Sequence, residues 1–384
     1  MKRYHNVAIY VQDLDPSNGG IERVSYILSK ELARRGYHIY AIHIDKLPSD
    51  KNIYEHYEGL CCGNAEKTSD IPDIIEFVKE NHIEIFLNQI SKCFSSVALQ
   101  RAIKNETSAF LIDVLHTMPL QLVPLKEFYH PLPLPRFINR WMFSIHKAVN
   151  LKPRYRRGNI ISYSLCDAFV MLSRNYFSEF AKDNKINDFS KFYAIANPYE
   201  FTYKDLYPVH KEKVMLVVAR LNNQQKRIDR TLRFWKNFHK EGDGWKLVIV
   251  GDGPDKGMLI SLSKDLGLKD CFFKGHSSHP GTEYRRSMIF LMTSDSEGFG
   301  MTLVEAMSAG CVPIAMDCFS ALPDVVTNRE NGMIVPKNDI NAMASAVVYT
   351  IANFEKMSAN ARVAAKRFSV YTITDKWEEL FNSL

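Results

Sequence analysis

The sequence lacks any apolar run of roughly 18 residues, the length that a membrane-spanning helix needs. It also lacks the apolar core of a secretory signal peptide, because Met1 to His5 lead directly into a predicted strand. Both absences argue against a membrane-spanning protein and against a secreted one. We therefore expect a cytoplasmic protein.

Metal-binding patterns are also missing. The 7 cysteines are scattered and form no C-x-x-C pair, which fits reduced thiols better than disulfides or zinc. His276 and His279 have no third or fourth ligand at a suitable spacing. Asp13-Leu14-Asp15 has the form of a metal-binding D-x-D motif, but its place just before a glycine pair favours a turn. We expect no metal ion and no other cofactor.

Acidic residues are absent between Glu127 and Asp167, although the net charge of the whole chain is only +6. Within this gap, apolar residues from 134 to 149 recur at the spacing of one helical face. The basic residues of the gap lie on the opposite face of this predicted helix or just after it: Arg136, Arg140, Lys147, Lys152, Arg154, Arg156 and Arg157.

A helix packed on its domain explains the periodicity of this basic segment, but it does not explain the missing acids. A cationic strip attracts phosphate groups or an anionic membrane surface. No signature of a nucleic-acid-binding fold accompanies the charge, so we expect no nucleic-acid partner.

What the chain does have is a repeated alternation of strands and helices. The first series begins with a strand at 6–11, a helix at 21–35 and a strand at 38–44, and it continues with strands at 83–87, 110–115, 168–172 and 192–196. Asn197-Pro198 interrupts it, because the residue before a proline is pushed out of the helical conformation. A second series follows, with strands at 214–219, 247–250, 271–273, 289–292 and 312–315.

Two alternating series predict an α/β protein with two Rossmann-like domains that face each other across a cleft. We place the domains at residues 1–197 and 198–369. A last helix, within 370–384, carries Trp377, Leu380 and Phe381 on one face, and we expect it to pack back on the first domain.

The most informative stretch is residues 294–310, which follow an apolar strand and read as a glycine loop and a helix start. Gly298 and Gly300 flank Phe299 and let the backbone approach a ligand without a Cβ in the way. The free amides of the helix that starts near Met301 favour negative charge. This stretch therefore predicts a phosphate site.

Two acids belong to the same stretch. A phosphate would repel Glu297, so the expected partner of Glu297 is a neutral hydroxyl group of the kind that a sugar offers. Glu305 lies further along, about 12 Å away if the whole stretch were helical. The two carboxylates are therefore placed to hold the two ends of one nucleotide-sugar; the alternative is a capped helix with two solvated acids.

Two cations are predicted near this stretch. Arg220 ends a strand and Lys226 follows across a polar loop. Two fixed cations can stabilise the negative charge that develops on a departing diphosphate without help from a metal. The alternative is a solvated loop with two surface cations.

A glycine pair follows the first strand, at Gly19 and Gly20. A dinucleotide-binding fingerprint needs G-x-G-x-x-G, and Asp45, at the end of the second strand, is the only feature in favour of NAD. We therefore reject a dehydrogenase. Taken alone, the pair is a simple turn between a strand and a helix.

Over nearly its whole length the chain resembles a retaining glycosyltransferase of the GT-B fold, in the group called family 4. The resemblance is carried by residues 19–23, by the Arg220 and Lys226 pair, by Gly251-Asp252-Gly253-Pro254, by Gly275, and above all by the Glu297 to Glu305 element.

The resemblance implies a role for each motif. Gly19 and Gly20 approach the donor diphosphate, Arg220 and Lys226 neutralise it, and the donor site includes Gly251, Gly253, Gly275, Gly298, Phe299, Gly300 and Met301. Glu297 holds the donor sugar and Glu305 the ribose hydroxyls. His116, at the end of the strand from Phe110, contacts the primary hydroxyl of the sugar.

The implied reaction moves a hexose or N-acetylhexosamine from a nucleotide diphosphate sugar, of which UDP is the commonest kind, to a saccharide acceptor. The acceptor attacks the face that the diphosphate leaves. The basic segment suggests a lipid-linked acceptor, such as a polyprenyl-diphosphate saccharide, and peripheral contact with the inner face of the plasma membrane. Synthesis of a cell-surface polysaccharide, such as lipopolysaccharide or capsule, is the expected setting.

Two positions depart from the family pattern: Arg227 stands where glycine or asparagine is common, and Phe319-Ser320-Ala321 replaces a glycine-rich turn. Arg227 is expected to add a cation near the phosphates. The alternatives that remain are a nucleotide-sugar epimerase of the same fold and a noncatalytic nucleotide-sugar-binding subunit. A phosphorylase would be far longer than this chain.

Overall fold

The computed structural model describes residues 4–90, 96–119, 152–200, 210–240, 243–277 and 280–384. It divides the chain into two compact units. Unit 1 comprises Met1–Ile195 with Thr374–Leu384, and unit 2 comprises Ala196–Ile373.

Unit 1 is built on a parallel sheet, in which the described residues form seven strands in the order β3-β2-β1-β4-β5-β6-β7. The strands are β1 Asn6–Val11, β2 His38–His43, β3 Gly59–Cys62, β4 Ile85–Asn88, β5 Phe110–Leu115, β6 Ala168–Met171 and β7 Phe192–Ala194. The helices are α1 Gly20–Arg34, α2 Ile71–Glu80, α3 Val97–Glu106, α4 Lys152–Leu165 and α5 Asn175–Asn184, and a 3₁₀ turn spans Lys51–Ile53.

The central strands of unit 1 are almost wholly apolar because helices cover both faces of a parallel sheet. In β1, Val7, Ala8 and Ile9 are each 0% exposed. The sequence analysis missed β3, an edge strand whose residues are only partly buried. The predicted helix with Arg136, Arg140 and Lys147 lies outside the described residues.

Unit 2 is a second parallel sheet, with strands in the order β10-β9-β8-β11-β12-β13 in the described residues. The strands are β8 Glu212–Val218, β9 Lys246–Val250, β10 Cys271–Gly275, β11 Ser287–Met292, β12 Val312–Met316 and β13 Met333–Val335. The helices are α6 Asn223–Lys226, α7 Ile228–Phe238, α8 Lys256–Asp265, α9 Gly281–Arg286, α10 Met301–Ser308, α11 Leu322–Val325, α12 Ile340–Ala352 and α13 Phe354–Ala365, and a 3₁₀ turn spans Lys366–Phe368.

The core of unit 2 joins the sheet to its helices. Leu232 and Trp235 of α7 are 0% exposed and pack with Leu247 of β9 and Ile314 of β12. The indole nitrogen of Trp235 donates a hydrogen bond to the carbonyl of Lys269 at 2.8 Å, so its one polar atom is satisfied inside the core.

The last helix, α14 Val370–Ser383, contributes residues from Thr374 onward to unit 1. Nη1 of Arg35 lies 2.6 Å from Oδ1 of Asp375 and 2.5 Å from Oε2 of Glu378. Trp377 and Phe381 are 3% and 1% exposed. The end of α14 is therefore held by the burial of its apolar residues and by ion pairs with Arg35, which lies near the start of the chain.

Among the helices in the described ranges, none combines the length and the apolar composition that a bilayer crossing requires.

A buried carboxyl group, Asp113 on β5, lies inside unit 1. It accepts hydrogen bonds from Asn88 at 2.7 Å, from Gln100 at 2.7 and 2.9 Å, and from Ser162. Burial raises the pKa of Asp113 to about 6, against the opposing effect of these hydrogen bonds. The neutral carboxyl is therefore the form that folding favours.

We expect Asp113 to make folding pH-dependent. The pKa is raised on folding, so the stability that it contributes is fully present below about pH 4, the pKa of an unfolded aspartate, and is lost as the pH rises through about 6. The change corresponds to about 3 kcal/mol at about 1.4 kcal/mol per pH unit.

Urea unfolding of the parent and of Asp113→Asn at pH 4 to 7 measures this change. Asparagine does not titrate, so we expect the parent to lose stability relative to the variant as the pH rises. A difference that is constant with pH would contradict the raised pKa.

Candidate functional site

The strand order of unit 2 locates the best-formed site. The chain runs from β8 to β9 and β10 on one side and then crosses to β11 on the other side of β8, so the order reverses between β8 and β11. Open α/β sheets bind ligands beyond the carboxyl ends of the strands at such a switch point. The loops that leave these two ends are residues 219–227 and residues 293–300, the two stretches that the sequence analysis selected.

Lys226 and Glu297 meet between these two loops. Nζ of Lys226 lies 2.7 Å from Oε1 and 2.8 Å from Oε2 of Glu297, and the hydroxyl of Ser294 donates to Oε1 at 2.6 Å. The Glu297 side chain is 11% exposed and that of Lys226 is 21% exposed. Each charge is thus largely removed from water and depends on the other, because an unpaired buried charge is strongly destabilising.

Backbone contacts hold the two loops together. The amide of Asp295 donates to the carbonyl of Gln225 at 2.7 Å, and the side-chain amide of Gln225 donates to the carbonyl of Ser296 at 3.1 Å. These hydrogen bonds hold the loop of Lys226 against the loop of Glu297.

Asp295, which the sequence analysis did not single out, organises the cations behind the pair. It accepts from Arg230 at 2.7 Å and from Arg227 at 3.2 Å, and Nζ of Lys337 lies 3.1 Å away. Burial alone would raise the pKa of Asp295, but the hydrogen bonds from Arg230, Lys337 and Arg227 bring the net pKa below its ordinary value. The carboxylate stays ionised and fixes three positive side chains.

Arg227 does not add a loose cation to the site. Its guanidinium donates to both oxygens of Asp229 at 2.9 Å and to Asp295. Its φ of +50° lies in the left-handed region, at the junction of α6 and α7. This conformation explains why glycine or asparagine suits the position, since both adopt it more readily than other residues.

Arg220 lies just after β8, and its side chain is exposed. In the described parts of the chain, it makes no ion pair of the kind that holds Lys226. Arg220 is thus the more exposed of the two predicted cations, and its role stays a prediction.

The glycine loop ends at the start of α10. Gly300 has φ +77° and precedes the helix, where no side chain caps the first amides. Phe299 is 3% exposed, and its ring meets Phe368 edge-on at 5.4 Å. The buried ring of Phe299 thereby holds the backbone from Gly298 to Met301 in place. Uncapped amides at a helix start suit a negatively charged or carbonyl oxygen.

Phe319, one of the departures from the family pattern, packs against this loop. Its ring lies 3.2 Å from the position that a Cβ on Gly300 would occupy, and it is 3% exposed. The aromatic ring therefore belongs to the core beneath the glycine loop.

Glu305 lies on α10 and is 7% exposed. It accepts a hydrogen bond from the hydroxyl of Tyr284 at 2.9 Å. Burial and the nearby carboxylate hold the pKa of Tyr284 well above its ordinary value, so the tyrosine remains a donor. Sequence reasoning missed this tyrosine because it comes from the separate helix α9.

The other glycines that were predicted to bind the donor have a conformational role in the backbone. Gly251 has φ +140°, and a Cβ there would lie 1.9 Å from the carbonyl oxygen of Ala219; at Gly253 the closest approach is 2.7 Å, to Leu221. Gly275 has φ +78°, and its carbonyl accepts from the amide of Gly251 at 2.8 Å. These glycines let the loops after β8, β9 and β10 cross in close contact, and donor contacts remain a prediction for them.

Residues 200–367 match the family model for glycosyl transferases group 1. Over 95% of its length, the chain is 29% identical to the amylovoran biosynthesis glycosyltransferase AmsD of Erwinia amylovora, of which it covers 97%. These similarities identify the chain as a glycosyltransferase, and its match to the group 1 model lies in residues 200–367.

Other relatives of this glycosyltransferase agree in length and fold. It is 23% identical to an α-1,4-N-acetyl-D-galactosaminyltransferase of Campylobacter jejuni that is named for a PP-undecaprenol-linked saccharide, with 95% of each chain covered. Its structure resembles that of Anabaena HepE in complex with UDP, with a TM-score of 0.77 and 16% identity over 99% of this chain and 100% of that one. The likeness confirms the GT-B fold, with two Rossmann-like α/β domains.

In unit 1 of the glycosyltransferase, His116 follows β5. Its Nε2 contacts Oε1 of Gln89, which follows β4. Gln89 is 1% exposed, and sequence reasoning missed it.

The glycine pair of the glycosyltransferase lies between β1 and α1. In the described part of the chain, a Cβ on Gly20 would meet no atom within 4 Å, whereas one on Gly19 would lie 2.1 Å from a carboxylate oxygen of Glu22. Open space beside Gly20 is compatible with a ligand. Asp13 and Asp15 accept hydrogen bonds from the following backbone and form a turn. In the ranges that the structure describes, no cluster of three His, Cys, Asp or Glu side chains is placed to hold a metal.

The basic residues of α4 divide by exposure. Arg154 and Arg157 are exposed, whereas Arg156 is half-buried, and its Nε donates to the carbonyl of Asp183 at 2.6 Å. Arg156 therefore joins α4 to α5, and of the three arginines, Arg154 and Arg157 lie on the surface of this helix.

Proposed function

We propose that the protein is a retaining, metal-independent hexosyltransferase. It moves a hexose or N-acetylhexosamine from a nucleotide diphosphate sugar, with UDP as the leaving nucleotide, to a lipid-linked saccharide. The observation that carries this proposal is the paired Lys226 and Glu297 beside the uncapped start of α10.

The pair combines the two functions that the reaction needs. The ammonium group of Lys226 has three donors and stabilises negative charge on the departing diphosphate, together with Arg220. When the diphosphate engages Lys226, Glu297 gains capacity to accept a hydrogen bond from a sugar hydroxyl. The amides near Phe299 and Gly300 add donors at the same place.

The remaining assignments follow the same chemistry. Glu305 accepts from the ribose hydroxyls, and Gly19 and Gly20 leave room for the diphosphate. The acceptor hydroxyl attacks the sugar carbon on the face that the diphosphate leaves, the bond from carbon to phosphate oxygen breaks, and that oxygen takes the acceptor proton. His116 contacts the primary hydroxyl of the donor sugar.

The names of similar proteins support the proposed nucleotide donor and the proposed biological role. The structure of HepE was determined with UDP, AmsD is named for amylovoran biosynthesis, and the Campylobacter enzyme is named for a PP-undecaprenol-linked saccharide. We infer cell-surface polysaccharide synthesis in the cytoplasm, at the inner face of the plasma membrane.

Glu297→Gln tests the proposal directly. The variant keeps the shape but loses the charge that pairs with Lys226 and accepts the sugar hydroxyl, so we expect release of nucleoside diphosphate to fall about 100-fold, in the range for loss of one polar group in a transition state. A panel of UDP-, GDP- and ADP-sugars supplies the donor, and chromatography measures the released diphosphate. Glu355→Gln, an exposed change on α13, is the matched control.

An unchanged rate in Glu297→Gln would remove the site assignment. The anomeric configuration of the product, read by NMR, separates retention from inversion. Recovery of an epimerised sugar without transfer would favour the epimerase.

The membrane contact has its own test. We expect the protein to sediment with anionic vesicles more than with neutral ones, and Arg154→Ala with Arg157→Ala to weaken binding roughly thirtyfold, from about 1 kcal/mol per basic residue. The double variant Lys264→Ala with Lys269→Ala, which removes two exposed lysines of unit 2, is the control. Equal binding to both vesicle types, unchanged in the arginine variant, would contradict a basic membrane surface on α4.

A further inference from the structure

His116 of unit 1 has a buried hydrogen-bond partner that no motif predicts. Gln89 follows β4, and its main-chain amide donates to the carbonyl of Tyr10 on β1 at 3.0 Å. Because β1 and β4 are neighbouring strands, Gln89 lies at the point where the strand order of unit 1 reverses. Its side chain is fixed by burial, with 1% of the residue exposed, and its Oε1 faces Nε2 of His116.

We propose that Gln89 is a positioning residue that holds His116 in one orientation and one tautomer. An amide oxygen can only accept, so Nε2 of His116 must carry the hydrogen. In the neutral imidazole, Nδ1 is then the nitrogen that accepts. This inference rests on the proposed function in one respect, namely that His116 contacts a hydroxyl of the substrate.

The neighbouring Asn88 shows what a purely structural amide looks like at this place. Its Nδ2 donates to Asp113 at 2.7 Å and to Ser96 at 3.3 Å. In contrast, Nε2 of Gln89 is buried and makes no hydrogen bond within the described residues. A buried donor without an acceptor costs about 1 to 3 kcal/mol, so the amide of Gln89 stabilises the fold less than that of Asn88 does.

The orientation of the amide decides the chemistry. With Oε1 toward the ring, His116 offers an acceptor at Nδ1, which suits the hydrogen of a hydroxyl group. With the amide reversed, an NH₂ group would face Nε2, and the hydrogen would have to be on Nδ1. The two arrangements therefore predict opposite tautomers.

NMR of the ¹⁵N-labelled full-length protein distinguishes them without any substrate. At about pH 8, above the ordinary pKa of histidine, imidazole nitrogens that carry hydrogen differ clearly in chemical shift from those that do not. Loss of a signal in His116→Gln assigns the residue. We expect Nε2–H in the parent protein and a mixture of tautomers in Gln89→Met, which replaces the amide with an apolar side chain of similar length. Nδ1–H in the parent, or an unchanged tautomer in Gln89→Met, would overturn the inference.

Kinetics then connect the tautomer to turnover. With the donor identified from the panel, we expect kcat of Gln89→Met to fall about tenfold with less than a twofold change in the donor KM. We also expect Gln89→Glu to move the acid limb of kcat/KM to higher pH, because a carboxylate beside Nε2–H favours the charged imidazolium. If the tautomer changes as expected but kcat and the acid limb do not, Gln89 still controls the ring, and the proposed contact of His116 with substrate is wrong.

Discussion

Replacing Lys226 with alanine is expected to lower kcat/KM for the nucleotide-sugar about a thousandfold. Removal of one preorganised donor from developing negative charge costs about 3 to 4 kcal/mol in enzymes of known mechanism. The change also leaves Glu297, whose side chain is 11% exposed, without the cation that contacts both of its oxygens. The measurement is release of nucleoside diphosphate over a range of donor concentrations.

Two controls make the result specific to the cation. Lys264→Ala removes an exposed lysine of α8 in the same unit and should retain parental rates. The double variant Lys226→Ala with Glu297→Gln completes a double-mutant cycle, and we expect less than the sum of the two single losses because the groups are in contact. Parental turnover in Lys226→Ala would show that the pair is structural only.

Asp295→Asn is expected to destabilise unit 2 by about 1 to 3 kcal/mol, which lies between the ranges for exposed and for fully buried ion pairs, because the Asp295 side chain is 30% exposed. Asp295 accepts from Arg230, whose side chain is only 6% exposed, and it also holds Arg227 and Lys337. Without the negative charge, three cations remain close together with no common partner.

Urea unfolding followed by intrinsic tryptophan fluorescence measures this loss, since Trp235 and Trp245 report on unit 2. Asp265→Asn, an exposed change on α8, is the control. A loss below about 1 kcal/mol would place Asp295 among ordinary surface ion pairs. We also expect the donor KM of Asp295→Asn to rise, because the loop that carries Lys226 hydrogen-bonds the backbone of Asp295.

The strands could be predicted wherever apolar residues run through a sheet that is buried on both faces. The predicted strand at 6–11 coincides with β1, and the strand predicted at 247–250 differs from β9 by one residue. Two strands of the described residues were missed: Gly59–Cys62 has partly buried residues and no β-branched side chain, and Met333–Val335 is only 3 residues long. Weak local signals of this kind become strands only through pairing with a neighbour.

The motif residues of the site could be predicted, but the hydrogen bonds that hold them in place could not. Glycines, two acids and two cations stand in recognisable spacings, and the structure brings Lys226 to Glu297. The partners of Asp295 could not be predicted, because no motif links Asp295 to Arg230, which lies 65 positions away in the sequence. The contact of Gln89 with His116 depends in the same way on which strands become neighbours.

The salt bridges of Arg35 with Asp375 and Glu378 span 340 and 343 positions of the chain. At a synthesis rate of about 5 to 20 residues per second, roughly 20 to 70 seconds pass on the ribosome between the arginine and its partners. During that time the surface that will receive Trp377 and Phe381 is open, while all of unit 2 emerges. A nascent chain thus exposes this apolar surface until Trp377 and Phe381 are synthesised and can cover it.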